Sequence, residues 1–207
     1  MAIRDPHAAL IHCKIAYYGP GMAGKTTNLQ TIHRLLPPDQ RSDLLSIATE
    51  TERTLCFDCT PADVPPIRGS TIRFHLHTVP GCVLYQRTRL NVLQGADGIV
   101  FVADSQRDKL QEDIKSLQEM VKGLYALGQS VDTVPIVLQY NKRDVPNAVA
   151  VEIMDKYLNP LHWPRFESSI WSNDPDSGIP IRRTLGVMET FQAIQSRIIE
   201  RLEVSVG

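Results

Sequence analysis

The segment from Gly19 to Thr26, Gly-Pro-Gly-Met-Ala-Gly-Lys-Thr, narrows the folds open to this chain more than any other stretch. Ahead of it, Ile11-His12-Cys13-Lys14-Ile15-Ala16-Tyr17-Tyr18 reads as a buried strand. Behind it, Thr27 to Leu36 keeps apolar residues at Leu29, Ile32 and Leu36, a helical spacing. The strand–loop–helix setting gives the pattern Gly-x-x-x-x-Gly-Lys-Thr its physical meaning. Glycines allow backbone angles that turn successive N–H groups inward toward a phosphate. The following helix presents the positive end of its dipole to the same anion. Lys25 then reaches the β/γ-phosphates, and the Thr26 hydroxyl can ligate Mg²⁺. Gly19, Gly21, Met22, Ala23, Gly24, Lys25, Thr26 and Thr27 are the candidate phosphate contacts. The bland alternative is a Gly-rich turn that happens to end in Lys-Thr. The flanking strand and helix favour a nucleoside phosphate site.

Strand and helix signals alternate along the rest of the chain, which predicts an α/β fold with a mostly parallel sheet covered by helices on both faces. Leu44 to Asp58 reads as a long functional loop leading into a strand. Ile72, Phe74, Leu76 and Thr78 alternate with Arg73, His75 and His77, the pattern of a half-buried strand. His75 and His77 fall on its polar face, where solvation is the simpler role and a metal would need a third ligand. Asp97 to Ala103 is a near-continuous apolar run, as central parallel strands are. Leu110, Ile114, Leu117, Val121 and Leu124 line one face of a long helix. Thr133 to Tyr140 gives another strand, 148–158 a helix, and Phe166 to Ile170 the last strand. Trp171 to Arg183 reads as an irregular polar loop, and Val187, Phe191, Ile194, Ile198 and Leu202 mark the core face of a closing helix. With 207 residues, a single domain spanning 1–207 is expected.

Bulk properties exclude several function classes. A formal net charge of −1 and a sequence pI near 6.6 argue against a nucleic-acid surface built on overall basicity. No apolar run approaches a membrane span, and Met1-Ala2-Ile3-Arg4-Asp5 lacks a signal-peptide profile. Ala2 stands where myristoylation requires glycine, and Val204-Ser205-Val206-Gly207 carries no prenylation cysteine. Direct membrane insertion is therefore not expected, and any membrane association would come through a partner. Cys13, Cys56, Cys59 and Cys82 form no disulfide framework and suit a reducing cytoplasm. Cys56-x-x-Cys59 has no second ligand pair and reads as two incidental thiols on a strand.

A phosphate loop does not choose its base. Asn141-Lys142-Arg143-Asp144, directly after the 133–140 strand, does. A carboxylate only accepts hydrogen bonds, so Asp144 can pair with the adjacent N1–H and N2 amine of guanine. Adenine presents an acceptor in place of N1–H, leaving the carboxylate poorly paired. Asn141 and the stem of Lys142 would orient and pack the base. The motif lies at the carboxyl end of a sheet strand, the edge where open α/β sheets bind ligands. Guanine nucleotide is the ligand predicted. Two further loops can sense a γ-phosphate: Ala48-Thr49-Glu50-Thr51-Glu52-Arg53-Thr54, and Val79-Pro80-Gly81-Cys82-Val83-Leu84-Tyr85. Gly81 can bring its backbone N–H close to an anion. Solvated connecting loops remain the alternative for both.

Taken together, these segments resemble the bacterial MglA-type small GTPases, relatives of Ras that control cell polarity and gliding motility. The likeness rests on Tyr18–Gly21 through Thr27–Gln30, on Thr49-Glu50-Thr51-Glu52-Arg53-Thr54-Leu55, and on Arg73–Leu76 with Thr78-Val79-Pro80-Gly81. Phe101–Gln106 and Gln139–Asp144 complete it, so that it runs from about Cys13 to Ala148 and again through the last helix. Thr78 stands where most Ras-like proteins open the second switch motif with Asp, and the chain shares this with the group. The resemblance implies a P-loop NTPase of the Ras-like small G-domain type, with GTP/GDP and Mg²⁺ as ligands. It implies that Thr54 is the switch threonine near Mg²⁺ and the γ-phosphate, so that Thr26 and Thr54 hold the metal. It implies that Thr78 and Gly81 border the nucleotide, and that Arg53 is a built-in arginine finger. It also implies a regulator: a dimer of roadblock-domain, MglB-like proteins that repositions the switches. The effector is unknown.

Two departures from the group bear on turnover. Its motif after Val-Pro-Gly carries a Gln that positions the attacking water, and here the position is Cys82. A thiol is a weak donor and acceptor and shorter than Gln, so slow intrinsic turnover is expected unless Gln86 or another group substitutes. The stretch from Trp171 to Arg183 is longer than the group's loop, leaving Ser168 and Ser169 as weak candidates for guanine contact. A GTP-hydrolysing switch is the leading reading, with Arg53, Thr54 and Cys82 as its catalytic positions. A GTP-binding interaction module with little hydrolysis is the alternative that Cys82 favours. A P-loop kinase or ATPase is disfavoured by Asn141 to Asp144.

Overall fold

One central strand organises the computed structural model, which describes residues 3–5, 9–48, 53–79, 86–171 and 183–205. That strand is β2 (Leu10–Tyr18), flanked in parallel by β5 (Thr71–Thr78) and β6 (Gly98–Asp104). β7 (Ile136–Asn141) and β8 (Arg165–Glu167) continue the parallel order beyond β6. On the other side β4 (Arg53–Cys59) and β3 (Leu45–Ala48) run antiparallel, giving the order β3-β4-β5-β2-β6-β7-β8. β1 (Ile3–Asp5) pairs antiparallel with the start of β2. A hairpin of β9 (Ser169–Trp171) and β10 (Arg183–Leu185) stands apart from the sheet. The mostly parallel sheet with flanking helices is the Ras-like small G-protein arrangement that the resemblance implies.

The two faces of the sheet carry separate cores because successive side chains of a strand point to opposite sides. Ile11, Cys13, Ile15 and Tyr17 of β2 join the core that includes Leu29 and Ile32 of α1 (Lys25–Leu35) and Phe191, Ile194 and Ile198 of α5 (Val187–Ser205). Ala16 and Tyr18 join the other core. It takes Leu93 from α2 (Gln86–Leu93), Leu117, Met120 and Leu124 from α3 (Leu110–Ala126), and Met154 and Leu158 from α4 (Val151–Leu158). β6 and β7 are buried along their whole length, which explains their unbroken apolar runs. Among the described residues no helix is long and apolar enough to cross a membrane.

Several local expectations need correction. Residues 44–58 hold a strand on each side of the expected loop: β3 is the sheet edge, and in β4 Leu55, Phe57 and Cys59 are buried while Cys56 and Asp58 are half-buried, so an apolar Cys56 between them blurs the alternation. The strand expected from Thr133 begins at Ile136, because Thr133 closes a turn with Ser130. The helix expected from 148 begins at Val151. The 166–170 strand is two strands broken at Ser168. α2 and β1 carry too little periodicity to be seen in advance. His75 is not simply solvated: its Nδ1 meets Asp58 Oδ1 at 2.7 Å and its Nε2 meets His12 Nδ1 at 2.8 Å, across β4, β5 and β2. His77 is half-buried, and desolvation with the nearby Lys14 charge pushes its imidazole down to about 4. No group of three potential metal ligands occurs among the described residues. Within β4, Cys59 is buried and Cys56 half-buried, on opposite faces of the strand. The Trp171–Arg183 loop lies mostly outside the described residues, 172–182 being among those left out.

α5 packs so closely on β6 that a Cβ on Gly98 would come within 2.7 Å of Ile198 Cδ1 and 2.9 Å of Ile194 Cδ1. Ile194→Ala should therefore leave a cavity over the central strands and destabilise the fold by about 2–5 kcal/mol, read as a lower urea midpoint at unchanged m-value.

Candidate nucleotide site

The phosphate-loop candidate begins where β2 ends. Gly19 has φ +143°, and a Cβ there would lie 2.2 Å from the Val102 carbonyl oxygen on β6, so only glycine lets the loop leave the sheet. Gly21 is half-buried, Met22 is exposed in the left-handed region at φ 61°, and Ala23 is buried. Gly24, at φ +100°, caps α1 with no side-chain hydrogen bond, so the first helical N–H groups are not met by a cap side chain. Its carbonyl accepts from Asn28 N at 2.9 Å. Lys25 is 6% exposed and curls over the loop, its Nζ donating to the carbonyls of Gly19 at 3.1 Å and Pro20 at 2.5 Å. Thr26 is half-buried and Thr27 exposed. An anion approaching this loop would meet a helix N-terminus and a buried ammonium together.

β7 ends beside it. Asn141 donates its Nδ2 to the Ala23 carbonyl at 2.8 Å, and a Cβ on Gly24 would sit 2.3 Å from that same nitrogen. Gly24 is thus fixed by the base-side motif as well as by its own torsion. Lys142 is in the left-handed region at φ 61°, an uncommon conformation for lysine. Its Nζ pairs with Asp104 Oδ2 at 2.6 Å, and Asp104 is 1% exposed at the end of β6. Arg143 is turned away, donating to the Val149 carbonyl at 2.6 Å and Glu167 at 2.9 Å. Asp144 is exposed and forms no hydrogen bond or ion pair with a described residue. Its carboxylate is available to donors from outside the chain.

Ser168 and Ser169 are 0% and 1% exposed. Ser168 holds the base-side loop from behind: its N–H donates to Tyr140 O at 2.8 Å, its carbonyl accepts from Arg143 N at 3.0 Å, and its Oγ donates to Asn141 Oδ1 at 3.0 Å. On the opposite flank, Thr78 is 1% exposed, and its Oγ1 accepts from Leu55 N at 2.8 Å, closing the end of the β4–β5 pairing. Arg53 and Thr54 open β4, opposite Ala48 and Ile47. Their side chains, and all of Gly81 and Cys82, lie outside the described residues.

Four supporting residues escape a reading by motif: Asn28, Gln139, Asp104 and Asp113. Asn28, Asp104 and Gln139 fall inside segments that carry the family resemblance but receive no role from it, and Asp113 stands out only as a charged residue on a helix. Asp113 on α3 is fully buried and accepts from Asp104 N at 3.0 and 3.2 Å. Burial, with the Asp104 charge adding, pushes its carboxyl up to about 8 against the opposing backbone hydrogen bond. A carboxyl raised above its unfolded value is protonated in both states at low pH, and as pH climbs from about 4 to about 8 it ionises in the unfolded chain but not in the fold, so stability is lost across that range. Asp113→Asn should thus raise the melting temperature relative to wild type by a margin that grows across that range, measured by thermal scans from acid to mildly alkaline pH.

No family model matches the chain. The mutual gliding-motility protein MglA of Myxococcus xanthus (strain DK1622) is 42% identical to it over 193 residues, covering 93% of either chain. With that identity along almost the whole length, on a Ras-like sheet, the chain belongs to the MglA family.

Proposed function

We propose that this protein is a guanine-nucleotide-dependent switch of a single domain over 1–207 that binds GTP, hydrolyses it to GDP, and regulates cell polarity or motility. The observation that carries the reading is the 2.8 Å bond from Asn141 to the Ala23 carbonyl, which brings the Asp144 loop and the Lys25 loop to one end of the sheet. Exposed Asp144 would take the N1–H and N2 donors of guanine, the Lys142 stem would flank the base, and Lys25 with the α1 N-terminus would take the phosphates. Membership of the MglA family supports the same ligand class.

Thr26 offers an oxygen at the second residue of α1 whose hydroxyl meets no described residue, a donor that fits oxygen-seeking Mg²⁺, with Thr54 as the further ligand. When bound, the ion would neutralise phosphate charge. Arg53 would stabilise the charge that develops as the γ-phosphoryl group leaves. Cys82 would position water poorly, so turnover is slow until a partner repositions the switches. A roadblock-domain, MglB-like dimer is the partner class we assign, in the cytoplasm, with the two switch loops changing affinity for an effector on hydrolysis. The second reading, a binding module without hydrolysis, draws on Cys82 alone.

Fluorescent mant-GTP and mant-ATP titrations test the ligand: GTP is expected to bind at least about a hundredfold tighter, and preference for ATP would sink the guanine assignment. Asp144→Asn should move preference from guanine toward xanthine, whose C2 carbonyl accepts where the N2 amine donates. Single-turnover hydrolysis tests the chemistry. Arg53→Ala should slow it at least about tenfold and Cys82→Gln should speed it, and no change in either would leave only the binding module.

A further inference from the structure

A closed ring of polar side chains lies in the core between the phosphate loop and the base-side loop. Gln139 of β7 and Asn28 of α1 are both fully buried, and Gln139 Nε2 donates to Asn28 Oδ1 at 2.7 Å. Asn28 Nδ2 in turn donates to the Gly24 carbonyl at 3.0 Å. On the other side, Gln139 Nε2 also donates to Ser168 Oγ at 2.8 Å, Ser168 passes its proton toward Asn141, and Asn141 reaches Ala23. The ring therefore meets the phosphate loop at two consecutive carbonyls, Ala23 and Gly24, and meets the base-side motif at Asn141. The adjoining core is apolar, and a pair of aliphatic side chains would fill the Asn28–Gln139 space without polar atoms to satisfy. Gln139 Oε1 is buried with no hydrogen-bond partner, so the ring carries an unmet desolvation penalty. Stability alone does not account for it.

Resting on the guanine-nucleotide reading, we infer that the Asn28–Gln139 amide pair is a positioning element that couples the phosphate cradle to the base-recognition loop. Neither side chain borders the site. Each acts through a neighbour: Asn28 through the Gly24 carbonyl that starts α1, and Gln139 through Ser168 and Asn141. Because each donor atom in the ring has an acceptor within it, shifting one loop breaks bonds on the other, and a low-dielectric interior strengthens those bonds. A ligand that fixes the phosphate loop thereby fixes the loop that reads its base.

The test is the dissociation rate of mant-GDP, chased with unlabelled GDP in excess Mg²⁺, for wild type, Asn28→Leu, Gln139→Leu and the double variant. Each single variant should release nucleotide about tenfold faster, and the double variant no faster than the singles, because one break already opens the ring. The length-swapped pair Asn28→Gln with Gln139→Asn keeps an amide at both positions and should return to within about threefold of wild type, whereas the Leu variants, of similar volume but without amides, should not. Single variants that release at the wild-type rate, or effects that multiply in the double variant, overturn the coupling. If either Leu variant fails to fold, Ser168→Ala opens the same ring with the loss of one oxygen. It should also speed release, and a wild-type rate there overturns the coupling. Failure of the wild-type protein to bind mant-GDP would instead overturn the guanine reading itself.

Discussion

The contact between the Asn141 amide and the Ala23 carbonyl, at 2.8 Å, is the joint on which the candidate site depends. It forms because β2, β6 and β7 run parallel and adjacent, so the loops leaving β2 and β7 emerge at the same edge. Parallel strands with helical crossovers make that edge the place where helix N-termini and strand ends converge. The glycine at position 24 then has two reasons to be glycine, its own left-handed torsion and the approach of a neighbouring amide. A side chain there would strain the loop and push the two motifs apart in one step.

Around that joint the protein buries charge in an ordered way. Lys142, in a left-handed conformation, is held by Asp104, and Asp104 in turn has its backbone N–H bonded to the carboxyl of Asp113. A buried acid next to the buried carboxylate of Asp104 is an expensive arrangement, and the Asp113 carboxyl responds by holding its proton far above the usual range. The outcome is a base-side loop fixed from behind by a partly buried ion pair, while Asp144 at its tip stays in water.

Much of this was legible as local strings. The loop Gly19–Thr26 and the motif Asn141–Asp144 are short, contiguous and flanked by strong periodic signals, and the buried strands β2, β6 and β7 declare themselves by apolar runs. Edge elements were not legible. β3 lies at the sheet edge with Leu45 60% exposed, and in β4 the half-buried positions include apolar Cys56, so neither shows a clear period of two. α2 gains its place from packing against α3, through an Arg89–Glu119 ion pair at 2.8 Å, rather than from its own pattern. The polar ring through Gln139 was invisible for a different reason. Asn28 and Gln139, bonded to each other, lie 111 residues apart in sequence, and each alone looks like a polar residue misplaced in a core. Thr78 stands between these cases: its departure from Asp was visible, but its use in closing the β4–β5 ladder depends on a partner in another strand.

The packing of α5 on β6 bears on how the chain reaches this fold during synthesis. Phe191, Ile194 and Ile198 complete the same core that β2 and α1 begin. Until those residues have been made, the first-made strands have one face covered only by α1, and central parallel pairing is slow in any case because it joins distant segments. A nascent chain thus holds β2, β5 and β6 in a partly exposed state for most of its translation, the condition under which chaperones bind and aggregation begins. The helix made last in the described chain is the one that ends this exposure.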